Sequence, residues 1–176
     1  MYNKKFLDQM GLLLKCLPIV GKEERFALKG GTAINLFFSN LPRLSVDIDL
    51  TYLPIEDRDT SIKKIENSLE NIAKELKRIF PELSCKPSKD KDGKLKKYII
   101  QSGRTWIKIE PSFVLRGHLY PTESWDSCEQ INTLFDTKIN TIPTLSVDEV
   151  YAGKLCAALS RQHPRDLFDM MIFLNK

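Results

Sequence analysis

The stretch Val46-Asp47-Ile48-Asp49-Leu50 constrains this chain more than any other. Side chains of a strand alternate between its two faces. Val46, Ile48 and Leu50 therefore point into a core, while Asp47 and Asp49 share the opposite face with α-carbons about 7 Å apart. The apolar flanks place this strand inside a sheet, not at its edge. Two like charges held that close are costly unless a cation lies between them. Divalent magnesium, hard and oxygen-seeking, meets that demand. Upstream, Leu28-Lys29-Gly30-Gly31-Thr32 reads as a glycine turn opening a helix, and bare amides at a helix N-terminus suit a phosphate. A lone Asp-x-Asp is usually a surface pair, and a lone Gly-Gly is usually a tight turn. The order strand, Gly-Gly-Thr, helix, Asp-x-Asp strand is more specific, and it points to metal-assisted phosphoryl or nucleotidyl transfer.

Other elements follow from spacing. Residues 3–17 have helical periodicity and are expected to stop at Pro18. A short strand over 24–28 feeds the glycine turn, and a helix runs from Thr32 to about Ser39. The Asp-x-Asp strand covers about 45–52. The longest helix, about 60–80, carries Ile62, Ile65, Leu69, Ile72, Leu76 and Ile79 at helical spacing and packs on a sheet. Asp92-Gly93 and Ser102-Gly103 are turn signals around an antiparallel hairpin of 95–101 and 105–110, closed by Pro111. Residues 116–135 read as loop, and 136–142 as one more strand. Ser146 and Glu149 form a capping box for a helix to about Arg161. Pro164 opens the last helix. The fold class expected is α+β: a mixed sheet flanked by helices over 1–145, followed by a C-terminal helical segment over 146–176.

Several polar residues invite two readings. Glu110, at a strand end, is either an ordinary charge beside Lys108 or a third carboxylate; two-metal catalysis uses a bridging pair plus a third. Arg43 and Ser45 share strand parity with the two aspartates and either reach phosphates or cap a turn after Pro42. Lys154 is either a snorkelling lysine or a triphosphate ligand. Arg165 and Asp166 open the last helix, where Asp166 complements the helix dipole.

Composition narrows the class. The chain has 176 residues, 42% of them hydrophobic, enough for one domain with a core. No apolar run nears the roughly 20 residues of a membrane span, and the amphipathic N-terminus is not a secretory signal. Four scattered cysteines read as free thiols in a reducing compartment without a zinc knuckle, so the expected location is cytoplasmic. The net charge is +4. Lys86, Lys89, Lys91, Lys94, Lys96 and Lys97 cluster against Asp90 and Asp92. That cluster is either a solvated hairpin tip or a contact for a nucleic-acid backbone. Tyr98 is the sole aromatic interleaved with it, a weak stacking signal.

Leu-Lys-Gly-Gly-Thr-Ala (28–33), Arg-Leu-Ser-Val-Asp-Ile-Asp-Leu (43–50), Ile-Lys-Ile-Glu (107–110), and Lys154 with Arg161 and Arg165-Asp166-Leu167-Phe168-Asp169 resemble the AbiEii/AbiGii nucleotidyltransferase toxins of the polymerase-β-like superfamily. The resemblance implies Mg²⁺- or Mn²⁺-dependent transfer of a nucleotide from an NTP to an RNA acceptor, with tRNA 3′ ends the best candidate, in a toxin–antitoxin or phage-defence setting. It also implies a cognate antitoxin protein and no membrane partner. By motif, Asp47, Asp49 and Glu110 hold metal. Gly30, Gly31, Thr32, Arg43, Ser45, Lys154 and Arg165 hold the nucleotide, and Lys154 and Asp166 join the carboxylates as catalytic positions. Relatives usually continue with a longer helical region, so residues 146–176 are expected to be truncated. The alternatives are a small-molecule or protein acceptor, or a non-catalytic NTP- or RNA-binding subunit.

Overall fold

The computed structural model describes residues 3–140 and 142–175. Five strands form one mixed sheet: β1 (Phe26–Lys29), β2 (Asp47–Tyr52), β3 (Ser84–Lys89), β4 (Leu95–Ser102) and β5 (Thr105–Arg116). Their order is β1-β2-β5-β4-β3. β2 runs parallel to β5, and the other neighbours are antiparallel. The Asp-x-Asp strand is thus interior. Six α-helices accompany the sheet among the described residues: α1 (Lys4–Val20), α2 (Gly30–Ala33), α3 (Arg58–Ile79), α4 (Glu129–Phe135), α5 (Val147–Arg161) and α6 (Pro164–Leu174). α2 continues directly into a π-helical turn, Ile34–Phe38.

One face of the sheet makes the core. Ile48 and Leu50 of β2, Ile107 and Ile109 of β5, and Ile100 of β4 are buried there. α1 and α3 pack against the sheet and against each other. α3 supplies Ile65, Leu69, Ile72 and Leu76, the middle of the stripe expected from its periodicity, while Ile62 is half-buried and Ile79, in the last turn, is exposed. Its N-cap is Asp57, which accepts from the Thr60 amide at 2.9 Å, so the helix begins at Arg58, two residues before the expected start. Ser146 caps α5 by accepting from the Glu149 amide, as the capping box predicts. No helix is long and apolar enough to cross a membrane among the described residues.

The departures have local causes. α1 does not stop at Pro18 but runs through it to Val20. Proline's fixed φ is compatible with a helix, and Leu17, Ile19 and Val20 are buried, which holds the last turn in place. β5 likewise passes Pro111 and reaches Arg116. The β4 ladder ends at Ile109, so from Pro111 onward β5 is paired only with β2, and a missing amide is tolerated on an open edge. Residues 129–135, expected to be loop, form α4, a short helix burying only Ile131; one apolar contact leaves little periodicity to detect. Residues 136–140 and 142 are not a strand, and residue 141 lies outside the described residues. Asp136 adopts a left-handed conformation that breaks any extended run. β3 carries Pro87 and buries only Cys85 and part of Ser84 and Ser88, so no alternation betrays this edge strand.

Ile48 sits between the two aspartates with no solvent exposure. Ile48→Ala should lower unfolding free energy by about 2–5 kcal/mol. Urea denaturation should show a lower midpoint with an unchanged slope.

Candidate active site

The glycine turn and β2 are built against each other. Gly30 has φ +70°, and a Cβ there would lie 2.8 Å from Asp49 Oδ2. A Cβ on Gly31 would lie 2.6 Å from Arg43 Nη2 and 3.0 Å from Ser45 Oγ. Both glycines therefore let functional side chains lie directly on the backbone. Asn35, fully buried, fixes the turn: its amide donates to the Gly31 carbonyl at 2.7 Å, and its Oδ1 accepts from the Arg43 amide at 3.2 Å.

Thr32 plays a different part from the one expected. Its side chain is buried, and its hydroxyl donates to the Asp47 carbonyl and lies 3.0 Å from Ser45 Oγ. It pins the start of β2 and does not line the cavity.

A cavity of about 230 Å³ opens between β2, β5 and the C-terminal helices, lined by Gly31, Arg43, Ser45, Asp47, Asp49, Glu110, Lys154, Arg161, Arg165 and Asp166. One wall is acidic. Asp49 pairs in register with Glu110 of β5, two positions from Asp47. Asp49 is pushed up to about 6 by its burial, by the neighbouring Asp47 charge and by Glu110, against the pull of Lys29 and Lys154. Glu110 is 3.3 Å from Lys97 Nζ, and Asp47 is 3.6 Å from Lys108 Nζ. The three carboxylates share the cavity but do not converge on one point, because two of them lean towards lysines. Among the described residues no three His, Cys, Asp or Glu side chains are gathered closely enough to ligate an ion. The donor chemistry nevertheless suits a dication: three hard oxygen donors line one cavity, and burial together with their mutual repulsion keeps a proton on Asp49 to about pH 6.

The opposite wall is basic and is held by two buried carboxylates. Asp169, with no side-chain exposure, accepts from one edge of the Arg43 guanidinium, from Nε at 2.7 Å and from Nη2. It also receives Lys154 Nζ at 3.1 Å. Asp166 accepts from Lys154 Nζ at 2.9 Å and from Arg161 Nε at 2.6 Å and Nη2 at 3.1 Å. Burial alone would raise the Asp166 carboxyl, but hydrogen bonds from Arg161 and Lys154 outweigh it and hold the group down to about 2. Lys154 does not snorkel; its amine is buried between two carboxylates. Asp166 sits behind Lys154 and Arg161 and orients them, more than a helix-dipole role requires. Arg161 and Asp169 were absent from the expected site; their weight comes from contacts that helical spacing does not reveal. Beyond Asp49 and Lys154 a second cavity of about 300 Å³ adjoins, with Lys29, Gly30, Glu149 and Gly153 in its lining. Burial lowers Lys29 there, partly countered by Asp49.

An anion seated on the basic wall faces carboxylates across the cavity. A polyphosphate matches the first wall, and an intervening dication reconciles it with the second.

A family model described as "Nucleotidyl transferase AbiEii toxin, Type IV TA system" matches residues 12–176. No curated protein matches the chain. A crystal structure from H. pylori, assigned as a nucleotidyltransferase, superposes with a TM-score of 0.56 and 18% identity, covering 96% of this chain and 67% of that one. That likeness is one of fold.

Two outcomes follow from this geometry. Asp49 takes up a proton in the folded state between its ordinary carboxylate value and about 6. Stability without divalent ions therefore falls as pH rises through that window. Asp49→Asn should match the parent near pH 4 and exceed it by about 1–2 kcal/mol near pH 7 in urea titrations. Gly31→Ala should lower the melting temperature, because it parts the buried Asp169 carboxylate from Arg43. Loss of its charge-assisted bond should weaken NTP affinity about ten- to hundredfold, as read by titration with a fluorescent NTP analogue.

Proposed function

The chain belongs to the AbiEii family of nucleotidyl transferase toxins of type IV toxin–antitoxin systems, and from that premise we propose that it moves a nucleotide from an NTP to the 3′ end of an RNA, with tRNA the favoured acceptor. The observation that carries this reading is the two-walled cavity, with Asp47, Asp49 and Glu110 on one side and Arg43, Lys154, Arg161 and Arg165 on the other.

In this reading the triphosphate lies on the basic wall. Arg43, held by Asp169, and Lys154, held by Asp166 and Asp169, meet the phosphates as fixed donors. Gly31 and Ser45 line the floor and let phosphate oxygens approach the backbone. Asp47 and Asp49, with Glu110 beside Asp49, would hold Mg²⁺ or Mn²⁺. A bound dication supplies charge neutralisation of the triphosphate and lowers the pKa of the attacking hydroxyl. Glu110 faces the cavity from β5 and receives the proton of the acceptor 3′-hydroxyl. That oxygen forms a bond to the α-phosphorus as the bond from the α-phosphorus to its bridge oxygen breaks, and pyrophosphate leaves along Arg43, Arg161 and Arg165. Fixed cations aimed at a developing polyanion stabilise the transition state without reorganising. Residues 1–145 supply the carboxylates, the glycine turn and Arg43, and the helical segment 146–176 supplies the rest of the basic wall. A cognate antitoxin completes the system.

Incubating the protein with total RNA and each α-labelled NTP, with and without a chelator, reads nucleotide and acceptor together. Label should enter an RNA band and disappear with chelation. Asp47→Ala should lower transfer by at least about a thousandfold, of the order expected when an electrostatic stabiliser of the transition state is removed, with an unchanged circular dichroism spectrum. A transfer-competent Asp47→Ala protein would falsify the assignment.

A further inference from the structure

The sheet face that carries the acidic wall continues beyond the cavity. In register, Asp47, Lys108, Ile99 and Lys86 form one cross-strand row. Asp49 and Glu110 begin the next, continued by Lys97, whose amine is 3.3 Å from Glu110, and by Ser88 opposite Lys97. Trp106, Gln101 and Ser84 form a third. The reverse side of these strands is the core, holding Tyr98, Ile100, Ile107 and Ile109. Tyr98, the aromatic that sequence placed among the lysines, is therefore turned away from solvent. Trp106 takes the opposite orientation: it is 40% exposed, and Lys108 Nζ lies 5.6 Å from its ring centroid.

An indole left open to water on a strand contributes little to folding, and its position beside the acidic wall is chemically specific. Strand side chains stand roughly perpendicular to a sheet, so Trp106 and the lysines project to the same side as Asp47 and Glu110. An exposed ring on an open sheet is a stacking platform for an unpaired base, and ammonium groups at strand spacing take the phosphates between bases. A duplex keeps its bases stacked on one another and offers Trp106 nothing to stack on. Along β5, Trp106 lies about 13 Å from Glu110 at roughly 3.3 Å per residue, the reach of a few unpaired nucleotides. Lys97 and Lys108 are held by Glu110 and Asp47, so capture of a phosphate by either lysine also frees a carboxylate of the acidic wall.

We propose that this open face, Trp106 with Lys86, Lys97 and Lys108, docks the single-stranded 3′-terminal segment of the acceptor RNA and delivers its hydroxyl to Glu110. The proposal rests on the nucleotidyl-transfer reading for what happens next, but its binding test is independent of turnover. In a Trp125→Phe background Trp106 is the remaining tryptophan, and its emission is titrated with a short single-stranded oligoribonucleotide and with a blunt RNA duplex. The single strand should quench Trp106 and the duplex should bind far more weakly. With intact Trp125, Trp106→Ala should weaken oligoribonucleotide affinity about 5- to 150-fold in an anisotropy titration, and Trp106→Phe should restore most of it. Lys86→Glu should weaken binding and reduce the slope of log affinity against log salt by about one. NTP affinity should be unchanged in the Trp106 and Lys86 variants. Equal oligoribonucleotide affinity for wild type and Trp106→Ala, or equal quenching by the duplex, overturns the surface. A wild type that binds the strand through Trp106 yet never releases pyrophosphate overturns the transfer reading and leaves the surface standing.

Discussion

The carboxylate of Asp169 holds the cavity together. It is sealed from solvent and grips Arg43 from the loop before β2 and Lys154 from α5. Removing such charges from water is expensive, and their attraction compensates only when geometry is good and the remaining donors and acceptors are satisfied. Here a second buried carboxylate, Asp166, takes the other side of Lys154 and binds Arg161. The cluster adds little to stability compared with an apolar replacement of the same volume. Its product is position: cations that would wander on long side chains are fixed facing the acidic strand. Removing one partner strands the others without water, which makes the cluster all-or-none.

The acidic wall works under the opposite constraint. Asp47 and Asp49 project from an interior strand because Ile48 and Leu50 are committed to the core. The strand cannot slip by a residue without turning both aspartates inward. Burial of Asp49 and the repulsion between the two surface together as a carboxyl that keeps its proton to about pH 6. The structure thus pairs a wall short of positive charge with a wall that fixes it, and the glycine turn keeps the gap between them free of side-chain bulk.

What the sequence makes legible is what short-range rules govern. The alternation at 47–50, the middle of the α3 stripe and the capping box at Ser146 each depend on neighbours within one or two turns, and each appears where expected, while Val46 lies before β2 and is only half-buried. Proline misleads twice. Its penalty depends on whether an amide is needed, and that is set by the strands or helices beside Pro18 and Pro111. The site shows the same division. Asp47, Asp49, Glu110, Gly31, Arg43, Ser45, Lys154, Arg165 and Asp166 all reach one cavity, as motif order suggested. Thr32 is turned away by a bond to the Asp47 carbonyl. Asp169 matters through a partner far along the chain, and Asn35 and Arg161 through side-chain bonds across nearby turns that motif order does not show. Trp106 and Tyr98 differ only in which side of the sheet they occupy, and the burial of Ile107 and Ile109 fixes that parity.

The bond between Arg43 and Asp169 joins residues 126 positions apart. Closing so long a loop is entropically unfavourable, so contacts of this kind form late in folding. During synthesis the Asp-x-Asp strand leaves the ribosome long before α6 exists to anchor the guanidinium. A nascent chain therefore has its acidic strand and glycine turn while Arg43 and Lys154 still lack their shared anchor. The order of translation itself delays assembly of the pocket until α6 has docked.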